Sequence, residues 1–345
     1  MTGLPASFGL PEFFAGTIVL ALNVYVLTGG ADFGGGVWDL LASGPRREQQ
    51  RDLVARTIGP IWEANHVWLV LAVVLTFTAF PAAFATLGTV LHVPLALMLV
   101  GIVLRGAAFV FRGYGSRTRA ERHNWGRLFA VASTFTPLLL GIVIGAVASG
   151  AVGDAQAHLG ASSFRDTYVA PWWSPFPLAV GALALALFAM LAAVYLAYET
   201  HDDRLREDFR RRALAATVAV FVTAFGALAV AHADAPIMRA GLVASAWAVP
   251  FQILTGVSAI TAIGALWWRR HALARLAAAA QLSLMLWGWA VAQYPYVVPS
   301  TLTIRNSVAP RITLVIVAWA LATGALLLIP SLLYLRRTFA THRSP

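Results

Sequence analysis

The sequence contains no cysteine and no lysine, and charged residues of any kind are scarce. The absence of cysteine excludes disulfide bonds and thiolate metal sites, and with them iron–sulfur clusters and thiolate-ligated haem. Charged residues make up 12% of the 345 positions, whereas soluble domains average about 25%. Hydrophobic residues make up 59%, and apolar runs of about 20 residues, enough for a helix to cross a bilayer, recur along the chain. We therefore expect an integral membrane protein.

The predicted fold is all-α, because only helices and closed barrels satisfy every backbone polar group in lipid and the sequence lacks the alternating pattern of a barrel. We expect one polytopic helix bundle that forms a single membrane domain over residues 1–345. The first apolar segment lacks the basic flank and cleavage site of a signal peptide, so we expect it to be retained. The apolar runs predict nine transmembrane helices, at about 12–31, 57–80, 83–111, 125–149, 172–198, 212–232, 240–267, 273–294 and 310–335.

The basic residues, all arginine, are distributed unevenly between the two sides of the predicted bundle. Twenty of the 25 lie in alternate connections and at the C-terminus. One more, Arg105, lies inside the third span, and the other connections hold only Arg165, Arg239, Arg305 and Arg311. By the positive-inside rule, the N-terminus faces outward and the C-terminus faces the cytoplasm. Membrane topology thus explains the net charge of +10, and no nucleic-acid partner is expected.

Residues 29–70 carry the most informative polar groups. The stretch reads GGADFGGGVWDLL, then an arginine-rich turn, then RTIGPIWEANHVWLV. It puts Asp32, Glu63, Asn65 and His66 at or just inside the cytoplasmic ends of the first two spans. A carboxylate at membrane depth costs about 2.5–3.5 kcal/mol on insertion scales, so it is usually functional. A proton relay is one interpretation; the alternative is that both acids are simply interfacial.

Five of the eight residues at 29–36 are glycine. Glycines at this density allow close approach of another backbone or a bulky ligand. The alternative is a helix end followed by a flexible turn. A nucleotide-binding loop is rejected, because the required strand–turn–helix context is not present.

Two histidines and one arginine within the predicted spans are candidate ligands or ion-pair partners. Glu63 and His66 form a Glu-x-x-His pattern, as in di-iron bundles, but the sequence offers no second such helix. His66 and His92 are candidates for axial haem ligation, although a lone membrane histidine more often hydrogen-bonds a neighbour. For Arg105 we expect a structural ion pair with Asp32 or Glu63, the alternative being that its side chain snorkels to the interface.

Four motifs, in this order and spacing, resemble subunit II of the cytochrome bd-type quinol oxidases. They are GGADFGGGVWDLL, PIWEANHVWLV with Phe80 and Pro81 after it, RGAAFVFR, and QYPYVVPS near the end of the eighth span. The resemblance covers essentially the whole chain, and the family also has nine spans with the N-terminus outside. The match is specific, because P-x-W-[DE]-x-N-x-V-W-L is an unusual string in a membrane helix.

The resemblance implies a complex of the aerobic respiratory chain that passes electrons from membrane quinol to O2 and contributes to the proton gradient without pumping. In that family two haems b and one haem d belong to the homologous subunit I, against which this chain would pack as a pseudo-symmetric partner. A small single-span subunit accompanies some complexes, and some members hold a structural quinone in this subunit. The implied location is the bacterial cytoplasmic membrane, with lipid around the bundle.

The family motifs also suggest roles for individual residues. Trp62 and Glu63 match the tryptophan and acid associated with a cytoplasmic proton path, and Asp32 matches the aspartate of the first motif. Asn65 and Trp68 match motif positions of less defined role. The present Glu63 replaces the aspartate of some members, which moves the carboxylate by about one methylene.

His66 stands where other members have glutamine, which weakens its assignment as a haem ligand. No metal ligand set and no directly catalytic residue are therefore expected in this chain. Two other classes stay open beside the oxidase subunit. An ion-coupled secondary transporter would explain intramembrane carboxylates, although such folds usually show internal repeats and broken helices. A purely structural assembly subunit would use the motifs only for packing.

Overall fold

The computed structural model describes residues 9–58, 62–115 and 118–340, and within these ranges the chain is almost entirely helical. Fourteen α-helices, a π-helical turn at Phe111–Gly115 and two short strands make up the described elements. The elements, in chain order, are α1 (Leu10–Leu40), α2 (Arg47–Ile58), α3 (Trp62–Ala79), α4 (Pro81–Val90), α5 (His92–Val110), α6 (Arg119–Ser149), α7 (Ala151–Ala157), α8 (Phe164–Tyr168), α9 (Pro175–Glu199), α10 (Asp203–Asp234), α11 (Pro236–Ala244), α12 (Ala248–Trp267), α13 (His271–Gln293), β1 (Tyr296–Val298), β2 (Leu302–Thr303) and α14 (Arg311–Ala340).

The predicted all-α, multi-span class is confirmed. Within the described ranges, eight helices are long and apolar enough to cross a membrane, and a ninth crossing results if α3 and α4 are taken as one bent pair. The bend of 116° falls at Phe80, directly before Pro81 at the first position of α4. Proline lacks the backbone N–H that a continuous helix would need, so one helix ends and another begins there.

Several predicted spans differ from the structure in their bounds. The span predicted at 83–111 is divided at Leu91 into α4 and α5, and the span predicted at 240–267 is divided at residues 245–247 into α11 and α12. Both divisions lie in apolar sequence, where hydropathy cannot show a break. The span predicted at 12–31 is too short, because α1 continues to Leu40.

Helix α1 runs unbroken through the glycine-rich stretch, so the interpretation of that stretch as a helix end and a flexible turn is wrong. The glycines instead allow close helix packing. A Cβ at Gly34 would lie 1.9 Å from the carbonyl oxygen of Phe188 in α9, and a Cβ at Gly36 would lie 2.1 Å from the Cβ of Ser133 in α6. Trp38 adds a hydrogen bond from its Nε1 to the carbonyl oxygen of Ala189 at 2.8 Å. Helix α1 is therefore held tightly against α6 and α9.

Helix α9 is the centre of the bundle, with α1, α6, α10 and α13 packed around it. Every residue from 186 to 194 is buried, and these side chains form the middle of the largest apolar cluster. Small alanines alternate with larger residues such as Phe188 and Met190 in this stretch, which lets neighbouring helices approach on several sides. Helix α1 is therefore packed in the interior of the bundle, whereas α3 and α5 each have an exposed aliphatic face.

At one end of the bundle, ion pairs of arginine join the connections between helices to one another. Arg46, ahead of α2, pairs with Asp208 of α10 at 2.6 Å, and the hydrogen bond and charge of this carboxylate raise the pKa of the Arg46 guanidinium. Arg210 and Arg269, from α10 and the α12–α13 connection, both pair with Glu207. The arginine-rich connections predicted to share one side therefore meet in space.

The other end of the bundle is closed by different contacts. Glu12 at the start of α1 pairs with Arg305 at 3.1 Å, and the backbone N–H of Ala309 donates to the carbonyl oxygen of Ala79 at 2.9 Å. These contacts join the start of α1 and the end of α3 to the segment before α14. The assignment of this end to the outside of the cell stays a prediction.

Candidate functional site

The polar centre of the bundle is an ion pair between Asp32 of α1 and Arg105 of α5. Asp32 is 5% exposed and Arg105 is 1% exposed, so both are buried in the protein interior. The Nη2 atom of Arg105 donates to Oδ1 of Asp32. The expected ion pair of Arg105 is thus present, with Asp32 as its partner. Since α1 extends to Leu40, Asp32 lies eight residues from the helix end, deeper than the sequence suggested.

Arg105 is held by three further contacts and does not snorkel to the interface. Its Nε donates to Oγ of Ser133 at 3.1 Å, and its guanidinium carbon lies 4.4 Å from the ring centre of Phe33 and 5.5 Å from that of Phe129. A desolvated cation over aromatic faces gains about 2 kcal/mol. Ser133 and Phe129 belong to α6, so this one side chain joins α1, α5 and α6.

Helix α3 contributes Asn65 and His66 to the same place. Asn65 is 2% exposed, and its side chain and the His66 ring both interact with the Asp32 carboxylate. The His66 ring packs edge-on against Tyr25 at 6.1 Å and against Phe33 at 6.3 Å between ring centres. We call Asp32, Arg105, Ser133 and Asn65 the Asp32 site. Trp68, one helical turn after Asn65, packs against the apolar core.

Several buried polar atoms of the Asp32 site have no hydrogen-bond partner among the described residues. They are Oδ2 of Asp32, Nδ2 of Asn65 and Nη1 of Arg105. Buried polar atoms in proteins are generally satisfied by protein or by ordered water, and an unmatched one costs about 1–3 kcal/mol. A carboxylate oxygen, an amide and a guanidinium that converge in this way can bind water and can exchange a proton at the carboxylate.

Two sequence-predicted residues lie partly outside the described structure. The backbone of α3 begins at Trp62, but the side chains of Trp62 and Glu63 are outside the described residues. The role of Glu63 therefore stays a prediction. Among the side chains that the structure does describe, no three His, Asp or Glu groups are close enough to hold a metal ion.

Sequence reasoning missed one buried acid, Asp39. It lies near the end of α1, is 2% exposed and pairs with Arg112 at 3.3 Å. A signal was available, because Asp39 follows Asp32 by seven residues and Arg112 follows Arg105 by seven. This equal spacing would have indicated a second ion pair, Asp39–Arg112, two helical turns from the Asp32–Arg105 pair.

The architecture and the Asp32 site define a multi-pass membrane protein with an ion pair buried between three of its helices. The chain belongs to the family of cytochrome bd terminal oxidase subunit II, whose model matches residues 10–339. The resemblance seen in the motifs is thereby confirmed. Each of these motifs falls within the matched range.

Individual relatives are similar to the chain at modest identity. Cytochrome bd-I ubiquinol oxidase subunit 2 of Escherichia coli K12 is 23% identical over 343 residues, covering 90% of this chain and 87% of the relative. Cytochrome bd ubiquinol oxidase subunit 2 of Bacillus subtilis 168 is 28% identical over 218 residues, and the match covers 63% of this chain and 61% of the relative. A chain in the structure of bd oxidase from Geobacillus thermodenitrificans has the same fold, with a TM-score of 0.77 at 24% identity over 96% of this chain and 98% of that chain.

Proposed function

We propose that this chain is the subunit of a quinol:O2 oxidoreductase that does not bind haem, and that it helps to deliver cytoplasmic protons to the oxygen-reducing site. Family membership supports the assignment to the oxidase. The observation that carries the proton role is the buried Asp32 carboxylate, which Arg105 holds by one oxygen while the other oxygen accepts no hydrogen bond of normal geometry from a described residue. The complex belongs in the bacterial cytoplasmic membrane, as part of the aerobic respiratory chain.

The contacts of His66 and His92 do not favour haem ligation by this chain. The His66 ring is packed against Tyr25 and Phe33, and the His92 ring is packed edge-on against Tyr168 at 5.0 Å between ring centres. Each ring thus has aromatic neighbours within this chain that account for its packing. We therefore assign two haems b and one haem d to subunit I, where they supply the electron transfer and the oxygen chemistry.

The exposed aliphatic faces of α3 and α5 favour a partner close to the Asp32 site. Helix α3 exposes Val70 and Phe77 on the side away from Asn65, and α5 exposes Leu99 and Val103. A partner packed here would be separated from Asp32 by about one helix diameter, roughly 10 Å. Subunit I on this face would receive protons from the Asp32 site through intervening water. Lipid covers the remaining apolar faces, and a small single-span subunit and a structural quinone are further components implied by the family.

Each residue of the site has a separate task in this proposal. Asp32 takes up and releases the proton at its unpartnered oxygen. Arg105 holds the carboxylate in place and has no relay role in this proposal. Asn65 is placed to orient water, and Glu63, at the start of α3, would pass protons in from the cytoplasmic end. Consumption of protons in O2 reduction drives their uptake, and this chain does not pump protons itself.

The first test is a reduced-minus-oxidised spectrum of the complex purified through a tag on this chain. Co-purification of a haem-bearing subunit with b- and d-type bands is expected. A single chain without haem or partner would overturn the oxidase assignment and would favour an ion-coupled transporter.

The second test compares Asp32→Asn and Glu63→Gln with Asp203→Asn, whose carboxylate is 90% exposed at the start of α10. We expect quinol-dependent O2 consumption to fall by about tenfold or more in the first two variants and to stay unchanged in the control. Assembly is checked by the haem spectrum. Normal turnover with normal assembly in both site variants would leave only the purely structural assembly role.

A further inference from the structure

A second buried acid, Asp39, lies between two arginines where α1 approaches its end. Nη1 of Arg112 is 3.3 Å from Oδ2 of Asp39, and Nε of Arg51 in α2 is 3.8 Å from Oδ1. Nε of Arg51 also donates to the backbone carbonyl of Asp39 at 3.3 Å. Both arginine side chains are partly exposed, at 14% for Arg51 and 17% for Arg112. We call Asp39, Arg51 and Arg112 the Asp39 cluster.

The Asp39 cluster and the Asp32 site are related by a step of seven residues on α1, on α6, and from α5 into the π-helical turn that follows it. Asp39 and Arg112 each follow their counterparts, Asp32 and Arg105, by seven residues. On α6, which runs in the opposite direction, Ser133 contacts Arg105, and a Cβ at Gly126, seven residues earlier, would lie 3.6 Å from the Arg112 guanidinium.

Seven residues are two helical turns, or about 10.5 Å, so the two acids face the same side of α1 at two levels. The cluster therefore lies between the Asp32 site and the arginine-rich end of the bundle. No other pair of buried ion pairs among the described residues is stacked on the same helices in this way.

The Asp39 carboxylate is only partly satisfied, as is that of Asp32. Its Oδ1 accepts no hydrogen bond from a described residue, and its nearest cation, Arg51, is at ion-pair distance only. The other charged group that acts on it is Glu48 of α2. An acid that is buried, partly unpartnered and covered by two partly exposed arginines is placed to meet protons from the aqueous side.

We propose that Asp39 is an acid at which protons enter this subunit, one level before Asp32 and in addition to the entry proposed at Glu63. The proposal rests on the proposed proton delivery through the Asp32 site. A proton from the aqueous phase binds an Asp39 oxygen, leaves to water between the two levels and reaches Asp32, so only O–H bonds form and break. The spacing of about 10.5 Å is too long for direct transfer, which requires contact or one bridging water. Arg51 and Arg112 hold Asp39 in place.

A purely structural role for Asp39 would be to tie α2 to the end of α1. Asp208 provides a matched control, because it ties the same helix to α10 through Arg46 at 2.6 Å and Gln50 at 3.1 Å. Asp208 has no contact with the stacked ion pairs. Loss of either carboxylate should weaken the packing of α2, but only loss of Asp39 should lower proton uptake.

The test uses the intact oxidase complex in vesicles, with quinol-driven O2 consumption and proton uptake from the arginine-rich side measured together. Asp39→Asn should lower both by on the order of tenfold, while Asp39→Glu retains them and Asp208→Asn leaves them unchanged. Thermal stability of the complex should fall similarly in Asp39→Asn and Asp208→Asn. If Asp39→Asn and Asp208→Asn have equal turnover, or if Asp39→Glu is as impaired as Asp39→Asn, the proposal is overturned.

Asp32→Asn, measured in parallel, separates this proposal from the proposed function. Loss of turnover in Asp32→Asn with normal turnover in Asp39→Asn would overturn entry at Asp39 and leave delivery through Asp32 intact. Loss in Asp39→Asn with normal turnover in Asp32→Asn would overturn the route through Asp32 and support entry at Asp39.

Discussion

The ion pair between Asp32 and Arg105 allows a quantitative prediction for stability. In Arg105→Gln, the Asp32 carboxylate stays buried at 5% exposure but loses its cation. Removing one partner of a buried ion pair costs about 3–5 kcal/mol, because an uncompensated charge remains. The cation–π contact with Phe33 at 4.4 Å is lost as well, worth about 2 kcal/mol when desolvated. We expect Arg105→Gln to destabilise the chain by about 5–7 kcal/mol in total.

The double variant Asp32→Asn with Arg105→Gln should be less damaging than Arg105→Gln alone. The amides are neutral and can hydrogen-bond each other, so about 3 kcal/mol of the loss should be recovered. The assay is a denaturation titration with sodium dodecyl sulfate from mild detergent micelles, followed by tryptophan fluorescence. The double-mutant cycle then gives the coupling energy directly. If the double variant is as unstable as Arg105→Gln, the two side chains are not coupled as the structure indicates.

Two further predictions concern packing and orientation. Gly34→Ala should lower the free energy of unfolding by about 1–3 kcal/mol or more, because its Cβ would meet the Phe188 carbonyl oxygen at 1.9 Å. In the control Gly16→Ala, on the same helix, the new Cβ meets nothing within 4 Å, so this variant should be neutral or stabilising. Equal stabilities of the two variants would contradict the close packing of α1 on α9. Because the chain has no cysteine, Ser162→Cys and His201→Cys can be labelled without removing other thiols. A membrane-impermeant maleimide added outside whole cells should label only the former, and the reverse result would invert the predicted topology.

Hydropathy and arginine positions predicted the class of fold and the grouping of connections at each end of the bundle. They could not predict where helices end inside apolar sequence. Helix α1 passes through its glycines to Leu40 because α6 and α9 lie against it, and this tertiary packing outweighs the weak helix propensity of glycine. The break at residues 245–247 carries no charge or proline of its own, and hydropathy therefore read across it.

The candidate site was predicted in part. Asp32, Asn65, His66 and Arg105 were identified from the cost of polar groups at membrane depth, and the structure brings these four together. Their distance from the membrane surface was underestimated because the end of α1 was misplaced. Asp39 was missed because it follows Trp38 near the predicted interface, where a single charge needs no explanation.

The spacing shared by α1, α5 and α6 limits how the length of these helices can change. One residue inserted between Asp32 and Asp39 would rotate Asp39 by about 100° around α1 and carry it away from Arg112. The same holds for the seven-residue steps on α5 and α6. Insertions and deletions among homologous chains should therefore fall in the connections, and a change within one helix would require a matching change in the other two. The number of residues between the acids is thus constrained as strongly as the acids themselves.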